Sequence, residues 1–261
     1  MSHSMIRDGA WGAAARDWAA VQEGTLRPLF ARVLAQTEVG PGHAVLDVGC
    51  GTGLLCMLAR GCGADVAGID ASPGQLMIAR ERLPGADLRE GEMEALPFAG
   101  DHFDLVTCCN ALQYATDTVV ALREMRRVAR PGGTVGILTG APNGPKASQS
   151  YFQALEPLRP PPAPDGPPLT LFRRPGALEE ALVAAELPVY ADEELDCDWD
   201  YPDLDTALRG VLSFAPAVRA IRYSGAAAVC TAVSDALTPY RTPTGAYHLP
   251  NRMRYILARV G

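Results

Sequence analysis

The chain has 261 residues, of which 48% are hydrophobic and 20% are charged, and its formal net charge is −7. A chain of this length can bury a sizeable core, and an acidic chain without a basic stripe is a poor match for nucleic-acid backbones and anionic membrane surfaces. Because no apolar run reaches the ~18 residues of a membrane span, we expect a soluble protein without membrane insertion and without a nucleic-acid partner.

The cysteine pattern and the N-terminus bear on metal binding and location. The seven cysteines are an odd number and include no Cys-x-x-Cys spacing, which disfavours a disulfide framework and a zinc site. No metal is therefore expected. The N-terminus has no apolar segment of the kind found in signal peptides, so the cytoplasm is the expected location.

The first half of the chain alternates predicted helices and strands. Residues 11–36 carry apolar side chains at helical spacing, with a break at Arg27-Pro28. The strands predicted after this helix cover 44–48, 64–70, 103–109 and 134–140, and a short third strand lies within 87–93. Strands that alternate with helices at this spacing predict a parallel, doubly wound α/β sheet.

Two of the helices between these strands have recognisable start signals. Ser72 and Gln75 stand three residues apart, as in a capping box, with Pro73 at the first helical position. Asp117 is the expected N-cap of a helix that ends at Arg130.

The second half of the chain is less regular. Seven prolines between 157 and 168 predict a stiff, extended connection. The alternating carboxylates of 192–200 (DEELDCDWD) predict a solvated strand face rather than a metal site, because no histidine accompanies them. The elements predicted here are a helix at 176–186, a strand around 190–199, two or three helices within 203–239 and a closing strand at 252–260.

A glycine-rich turn follows the first predicted strand. The stretch 45–53 reads VLDVGCGTG. A dinucleotide site needs G-x-G-x-x-G, but the third glycine is replaced by Leu54, and the Gly-Lys-Ser/Thr of a P-loop is missing from the stretch. Asp47 at the strand tip repels phosphate and suits a ligand with a positive amino group. The turn therefore predicts a ligand that places no phosphate there.

Polar groups also stand at the ends of the following strands. Asp70 ends the second strand and is placed to accept hydrogen bonds from two ribose hydroxyls. Glu92 follows the third strand and can reach an adenine amino group, while the Met93 amide can donate to a ring nitrogen. Asn110 stands at the tip of the fourth strand. Because ligands of open α/β sheets bind at the carboxyl ends of the strands, we expect these residues at one site.

Five stretches occur in a fixed order: VLDVGCGTG, GIDASPGQL, GEMEALPF, FDLVTCCNALQY and REMRRVARPGG. Together they resemble the motifs of class I S-adenosylmethionine-dependent methyltransferases, in the small-molecule branch related to ubiquinone and menaquinone biosynthesis. The resemblance covers roughly 41–140. It implies a Rossmann-like sheet of seven strands whose last strand is antiparallel, and it implies S-adenosylmethionine as cofactor with S-adenosylhomocysteine as product.

The resemblance also implies a set of cofactor contacts. Asp47 and the glycines would line the methionine part, Asp70 would bind the ribose, and Glu92 would hold the adenine. Residues 18 and 22 share one face of the N-terminal helix, which in related enzymes covers the cofactor. The implied cofactor residues are Trp18, Gln22, Asp47, Gly49, Cys50, Gly51, Gly53, Asp70, Ala71, Glu92, Met93, Cys109 and Asn110.

The candidate catalytic or substrate-contacting residues are Gln113, Tyr114 and His248. Such enzymes often read Asn-Ala-Leu-His where this chain reads Asn-Ala-Leu-Gln at 110–113, and an amide accepts no proton at neutral pH. His248 precedes the last strand, whose antiparallel direction in the family would put it at the ligand edge as a base or substrate contact. Trp199 and Tyr201 could wall an apolar substrate.

We therefore expect an N-terminal helical cap at 1–40, a cofactor-binding core at 41–202 and 240–261, and a helical lid insertion at 203–239. The predicted function is in-line methyl transfer from S-adenosylmethionine to an O, N or C atom of a small molecule. The alternative is a protein that only binds this cofactor or uses the pocket for a non-methylating rearrangement; an NAD-dependent dehydrogenase is a more distant one. The sequence leaves the oligomeric state open.

Overall fold

Short apolar runs form the strands of the protein, seen in a computed structural model that describes residues 9–142, 144–145, 147–161 and 174–261. Most of the first four strands are buried along their centres, as expected of parallel strands covered on both faces. The strands are β1 (Ala44–Val48), β2 (Asp65–Asp70), β3 (Asp87–Glu90), β4 (Phe103–Cys109), β5 (Ala129–Gly140), β6 (Val189–Asp196), β7 (Trp199–Tyr201), β8 (Tyr247–Leu249) and β9 (Arg252–Arg259).

A seven-stranded mixed sheet is the centre of the fold. Its strand order is β3-β2-β1-β4-β5-β9-β6. The pairs among β1 to β5 are parallel, whereas β9 is antiparallel to both β5 and β6. This arrangement confirms the predicted Rossmann-like, doubly wound sheet with an antiparallel last strand.

Helices flank the sheet and cover one of its ends. None of them, in the part of the chain that the structure describes, is long and apolar enough to cross a membrane. A π-helical turn covers Trp18–Gln22 and a 3-10 turn covers Glu23–Leu26. The α-helices are α1 (Ala10–Ala13), α2 (Ala15–Asp17), α3 (Arg27–Gln36), α4 (Leu54–Gly61), α5 (Pro73–Arg82), α6 (Thr118–Val128), α7 (Ala147–Leu155), α8 (Ala177–Ala184), α9 (Leu204–Val211), α10 (Ala215–Ser224) and α11 (Ala226–Leu237).

Two apolar clusters hold helices against the two faces of the sheet. Leu46 of β1 packs with α6 and α8 on one face, and its neighbour Val45 packs with α3 and α4 on the other. Successive side chains of a strand point to opposite faces, so one strand contributes to both clusters. The sheet is therefore buried between two helical layers, and only its ends are available for a ligand site.

The N-terminal helix is less regular than the sequence predicts. The segment 9–26, here called the N-terminal segment, contains α1, α2, the π-helical turn and the 3-10 turn. Only α3, which has Pro28 in its first turn, is regular over ten residues. Proline is favoured there because its missing N–H has no helical partner in any case. The predicted break at Arg27-Pro28 is thus the start of a helix.

The two predicted helix caps have different outcomes. Asp117 accepts hydrogen bonds from the backbone of Val119 and Val120, which confirms it as the cap of α6. Ser72 precedes α5 but makes no side-chain capping bond. The Gln75 amide donates to the Trp11 carbonyl instead, at 2.9 Å. The predicted capping box is wrong because a tertiary contact competes for the glutamine.

The helices of 203–239 belong to a larger unit than the predicted lid. α9, α10 and α11 share an apolar cluster with Tyr151 of α7 and with Trp199 and Tyr201 of β7. The predicted strand around 190–199 ends at Asp196, and β7 lies outside the main sheet and pairs with β8 in a separate two-stranded antiparallel sheet. We call α7, α9–α11, β7 and β8 the lid unit. Residues 162–168 of the predicted proline-rich connection lie outside the described residues.

Candidate functional site

The carboxyl ends of β1, β2 and β4 open onto a cavity of about 590 Å³. The strand order reverses at β1, which lies between β2 and β4, and open α/β sheets bind ligands at such a switch point. The N-terminal segment and the lid unit form the opposite wall. The predicted residues that line the cavity are Trp18, Gln22, Asp47, Gly49, Cys50, Gly51, Asp70, Ala71, Glu92, Met93, Cys109, Asn110, Gln113 and Tyr114.

The glycine turn is shaped so that its backbone faces the cavity. Gly49 has φ 75°, and a Cβ at this position would lie 2.3 Å from the Ala111 Cβ. Gly51 has φ 54° and also lines the cavity. Both positions therefore need glycine, one for space and both for the left-handed backbone. Gly53 does not line the cavity: a Cβ there would contact Ala79 and Leu83 of the neighbouring helix, so its role is in packing.

Asp70 holds the glycine turn and the start of α5 together. One carboxylate oxygen accepts from the Gly51 N–H and the other from the Ser72 N–H, both at 2.8 Å. Burial raises the pKa of Asp70, although these backbone bonds act in the opposite direction. Each carboxylate oxygen has a second lone pair, so the side chain retains acceptor capacity toward the cavity that it lines.

Asp47, at the end of β1 just before the glycine turn, is buried, with 3% of its surface exposed. Its Oδ1 accepts a hydrogen bond from the Thr107 hydroxyl at 2.7 Å. Burial raises the pKa of Asp47 to about 7 in spite of that bond, and the negative charges of Asp70 and Glu23 add to the rise. A cationic ligand group would favour the ionised form, as the sequence-based reading of this position expects.

Glu23 is a site residue that the sequence did not reveal. Its carboxylate accepts from Arg82 at 2.6 Å, from the Thr52 hydroxyl and from the Leu54 N–H at 3.3 Å. Arg82 also donates to the Ala19 carbonyl. These contacts tie the N-terminal segment to the glycine turn and α5. In a regular helix, a glutamate next to Gln22 is expected to face solvent. The π-helical turn changes its direction, and no sequence pattern predicts that turn.

Gln75 is a second residue that the sequence did not place in the site. Only 2% of its surface is exposed, and its amide nitrogen is bonded to Trp11. Its Oε1 lines the cavity near Gly51 and has no hydrogen-bond partner among the described residues. A buried acceptor left without a partner is costly, so this oxygen suits a hydroxyl or amino donor of a ligand.

Trp18 and Gln22 reach the cavity through the π-helical turn. The Glu23 N–H donates to the Trp18 carbonyl, a five-residue step that widens the helix. Such turns occur frequently at functional sites. The Gln22 Oε1 accepts from the Tyr201 hydroxyl at 2.5 Å, so Tyr201 supports the wall without lining it, whereas Trp199 does line it.

Asn110 turns the chain at the end of β4. It has φ 50°, a left-handed conformation that asparagine adopts more readily than most residues. Its carbonyl accepts from the Gln113 side chain at 3.0 Å. Gln113 and Tyr114 follow in a 3-10 turn and line the cavity. Burial raises the pKa of the cavity-lining thiols Cys50 and Cys109, which favours their protonated form.

His248 is not brought to the cavity. It lies on β8 opposite Asp200 of β7, and its Nδ1 is 2.8 Å from the Asp200 carboxylate. The hydrogen bond to Asp200 raises the pKa of this half-exposed histidine. The antiparallel last strand begins at Arg252, and Asn251 just before it lines the cavity, whereas His248 lies further back on β8, in the separate two-stranded sheet. The predicted base or substrate contact at this position is therefore not among the residues that line the cavity.

Aromatic rings line the wall opposite the glycine turn. Phe214, between α9 and α10, is at the centre: its ring centroid is 5.1 Å from that of Trp18, 5.5 Å from Trp199 and 6.0 Å from Phe152. Trp11 joins the group through Trp18 at 5.4 Å. The Phe214 ring is edge-to-face with Trp18 and Phe152 and tilted against Trp199, and edge-to-face pairs add stability beyond area burial. The Phe214–Trp18 contact also links the lid unit to the N-terminal segment.

The residues present fit S-adenosylmethionine. Acids at the ends of β1 and β2 line the cavity, and the glycines let a ligand approach the backbone. The Gln75 Oε1 has no hydrogen-bond partner among the described residues and could accept a hydrogen bond from a ligand. Asp47 and the glycine turn would hold the methionine part, Asp70 and Gln75 the ribose, and Glu92 with Met93 the adenine. No group of histidine, cysteine and acid residues suited to a metal occurs among the described residues.

Parts of this chain are similar in sequence to known proteins. The family described as "Methyltransferase domain" matches residues 46–137. An uncharacterized protein of Mycobacterium tuberculosis, Rv1405c, is 34% identical over 162 residues, which are 60% of this chain and 58% of that protein. A demethylmenaquinone methyltransferase of Renibacterium salmoninarum is 42% identical over 93 residues, 36% of this chain and 39% of its own length. The chain thus spans less than two thirds of both curated relatives.

The fold also occurs in a protein described as a cyclase. The crystal structure of the [4+2]-cyclase SpnF has a TM-score of 0.56 to this chain at 22% identity, covering 90% of this chain and 82% of the cyclase. At that identity the likeness concerns the fold alone.

Proposed function

We propose that this chain, which carries a class I S-adenosylmethionine-dependent methyltransferase domain of the small-molecule branch, transfers a methyl group to a small molecule held between the glycine turn and the lid unit. The observation that carries the proposal is one cavity lined both by acids and glycines of the strand ends and by aromatic rings of the N-terminal segment and the lid unit. The acids and glycines would hold the cofactor, and the rings of the lid unit would contact the acceptor. The small-molecule partner and the cytoplasmic location remain predictions.

The protein's own contribution to the reaction is orientation and exclusion of water. When bound, S-adenosylmethionine supplies a methyl group on a positive sulfonium, which is a strong electrophile. The residues of both walls would fix the acceptor in line with it, and orientation of this kind accounts for roughly 7–11 kcal/mol of a barrier. The aromatic wall also excludes water, which strengthens electrostatic contacts inside the cavity.

We assign no residue to the removal of a proton from the acceptor. Among the described residues, no histidine lines the cavity, and Gln113 stands where the family often has one. A base contributes about 10²–10⁴-fold where the acceptor must lose a proton. We therefore expect an acceptor whose nucleophilic atom carries no extra proton near neutral pH, such as an acidic phenol or enol that is already ionised, or an aromatic amine.

A thermal-shift experiment tests the cofactor. A ligand that binds only the folded state stabilises it by RT ln(1 + [L]/Kd), about 2.7 kcal/mol at 100 Kd. S-adenosylmethionine and S-adenosylhomocysteine should both raise the melting temperature, and NAD should not. Stabilisation by NAD alone would contradict the proposal and favour a dehydrogenase.

A non-methylating rearrangement is the second candidate, because no histidine lines the cavity among the described residues and such a reaction does not need an acceptor to lose a proton to one. Product analysis with S-adenosylmethionine labelled in its methyl group separates the two. A labelled product supports methyl transfer. Turnover of a substrate without label in the product, with the cofactor recovered intact, would establish the rearrangement.

A further inference from the structure

The cavity extends beyond the glycine turn to the part of the sheet edge formed by β5 and β9. Because β9 is antiparallel to β5, its first residues lie beside the last residues of β5. Gly140 pairs with Met253, and the Ala141 N–H donates to the Arg252 carbonyl at 3.0 Å. Gly140, Ala141, Met253 and the preceding Asn251 all line the cavity. The cavity therefore has a second end, which is built from β5 and β9 rather than from β1 and β2.

This second end is far from the strand that would bind the nucleoside of the cofactor. In the sheet, β1, β4 and β5 lie between β9 and β2, the strand that ends at Asp70. Neighbouring strands are about 4.7–4.9 Å apart, so four such steps separate β2 from β9 by roughly 19 Å. A cofactor held by Asp70 and by Asp47 of β1 would leave the end at β5 and β9 to a second ligand, the methyl acceptor.

Asn251 is a buried polar residue at this second end, with 7% of its surface exposed. Its carbonyl accepts from the Cys197 N–H at 2.8 Å, and its N–H donates to the Asp198 carboxylate at 2.9 Å. Its Nδ2 donates to the Cys197 carbonyl at 3.2 Å. Among the described residues, none of the hydrogen bonds of Asn251 uses Oδ1. Since a carbonyl can only accept, the Cys197 bond fixes which way the amide points and leaves Oδ1 available to a ligand.

Aromatic surface accompanies Asn251 at this end of the cavity. Trp199 is two residues from Cys197 and pairs with Leu249, which is two residues from Asn251. Trp199 also lines the cavity, and its ring centroid is 5.5 Å from that of Phe214. Pockets for small molecules combine apolar and aromatic surface with a few polar groups that fix the orientation of the ligand. The second end of the cavity has this composition.

We propose that Asn251 positions the methyl acceptor, with its Oδ1 accepting a hydrogen bond from an N–H or O–H group of that molecule. The inference rests on the proposed function for the identity of the second ligand as a methyl acceptor. The acceptor is then a molecule that combines an apolar ring with a hydrogen-bond donor. A ligand without a donor would cover the Asn251 oxygen and leave it unpaired, which is unfavourable.

The probes are 6-hydroxyquinoline and 6-fluoroquinoline, which have the same rings and of which only the first donates a hydrogen bond. Binding is measured by titration calorimetry near neutral pH, with and without saturating S-adenosylhomocysteine. The hydroxy compound should bind about three- to tenfold more tightly, as expected for one neutral hydrogen bond, and should do so with S-adenosylhomocysteine bound. Equal affinities in the unmodified protein, or a preference that S-adenosylhomocysteine abolishes, would overturn the inference.

Two variants of Asn251 separate its oxygen from its structural contacts. Asn251→Leu and Asn251→Asp both lose the Nδ2 bond to Cys197, but only Asn251→Asp keeps an oxygen acceptor. Asn251→Leu should lose the preference for the hydroxy compound, and Asn251→Asp should keep it. Affinity for S-adenosylhomocysteine should change by less than about threefold in both variants, because distant sites act independently.

Three results would contradict the assignment. Loss of the preference in both variants would mean that Asn251 has a structural role only. Retention of the preference in Asn251→Leu would mean that another group binds the donor. A large loss of S-adenosylhomocysteine affinity in both variants would mean that Asn251 belongs to the cofactor site.

The outcomes also distinguish this inference from the proposed function. If S-adenosylhomocysteine fails to bind the unmodified protein but the preference depends on the Asn251 oxygen, the hydrogen-bonding site stands and the methyl-transfer proposal fails. If the cofactor binds and the preference is absent, methyl transfer stands and the role of Asn251 is wrong.

Discussion

Asp47 is the single residue whose charge depends most on what the cavity holds. Burial raises its pKa to about 7 in the ligand-free protein, so it is largely protonated below that pH and ionised above it. A ligand with a positive amino group interacts more strongly with the ionised form and therefore lowers this pKa. Affinity for such a ligand consequently rises with pH through the titration of Asp47.

The corresponding prediction concerns Asp47→Asn. In the unmodified protein, affinity for S-adenosylhomocysteine should increase between about pH 6 and pH 8 as a residue with a near-neutral pKa titrates. The variant should show a flat profile and bind about tenfold or more weakly at the upper pH, since a charge-assisted hydrogen bond is worth about 1.5–3 kcal/mol. Calorimetric titrations across the pH range measure this. Parallel profiles for the two proteins would remove Asp47 from the ligand contacts.

Gly49 tests whether the glycine turn needs space or only conformational freedom. Gly49→Ala adds a Cβ that would lie 2.3 Å from Ala111, on a left-handed backbone. Gly42→Ala is the control, because Gly42 also has a positive φ but has open space around a Cβ. Gly42→Ala should lower the free energy of unfolding by about 1–2 kcal/mol through backbone strain alone. Gly49→Ala should lower it by about 1–3 kcal/mol more, because the added Cβ overpacks the site. Denaturant unfolding curves compare them; equal costs would show that the Ala111 contact is unimportant.

At the scale of elements, the N-terminal segment is fastened to α5 by two ion pairs of different character. Glu23 and Arg82 form a mostly buried pair, with side chains 6% and 24% exposed. Arg16 and Glu81 connect the same elements through side chains that are 70% and 49% exposed. Breaking a buried pair leaves an uncompensated charge, whereas an exposed pair contributes little. The two pairs therefore form a matched comparison within one interface.

The prediction at this interface compares Arg82→Gln with Arg16→Gln. Arg82→Gln should lower the free energy of unfolding by about 3–5 kcal/mol, as expected for a broken buried pair, and should weaken S-adenosylhomocysteine binding because Glu23 also holds the glycine turn through Leu54. Arg16→Gln should change stability by less than about 1 kcal/mol and leave binding unchanged. Denaturant unfolding and calorimetry provide both values. Similar effects of the two variants would show that the contribution of an ion pair at this interface does not depend on its burial.

The elements differ in how far their sequence determines them. Strands such as β4 follow from an apolar run, and Asp117 follows from cap chemistry, because both depend on local interactions. The ends of β1 and β2 could likewise be placed with Asp47 and Asp70, since the topology of a parallel sheet fixes one ligand edge. Gln75 and His248 could not be placed, because a tertiary hydrogen bond determines the position of Gln75 and a separate two-stranded sheet determines that of His248.

At the scale of the whole molecule, the N-terminal segment contacts both the lid unit and the cofactor wall, by which we mean the glycine turn and the strand ends that carry Asp47 and Asp70. The Tyr201 hydroxyl of the lid unit donates to Gln22, and Arg209 of α9 pairs with Asp17 at 2.7 Å. Phe214 contacts both Trp11 and Trp18. The sequence suggested a lid at 203–239 separate from the cofactor contacts. From these contacts we predict that a change in the lid unit is transmitted to the cofactor wall.

Gly210 lies at this junction and gives a sharp test of the coupling. It sits inside α9, where alanine would ordinarily stabilise a helix by about 0.5–1 kcal/mol. A Cβ there would lie 2.8 Å from Tyr201, 2.9 Å from the Gln22 Oε1 and 3.0 Å from Val21. Gly210→Ala should therefore push the lid unit away from the N-terminal segment, break the Gln22–Tyr201 hydrogen bond and lower the melting temperature in spite of the better helix propensity.

The same variant should weaken S-adenosylhomocysteine binding several-fold, although Gly210 does not line the cavity, because Gln22 and Trp18 move with the segment. Gly24→Ala is the control: Gly24 lies in the neighbouring 3-10 turn and has no atom within 4 Å of a Cβ. It should leave both melting temperature and affinity close to those of the unmodified protein. A Gly210→Ala protein that is more stable and binds with unchanged affinity would mean that the lid unit and the cofactor wall act independently.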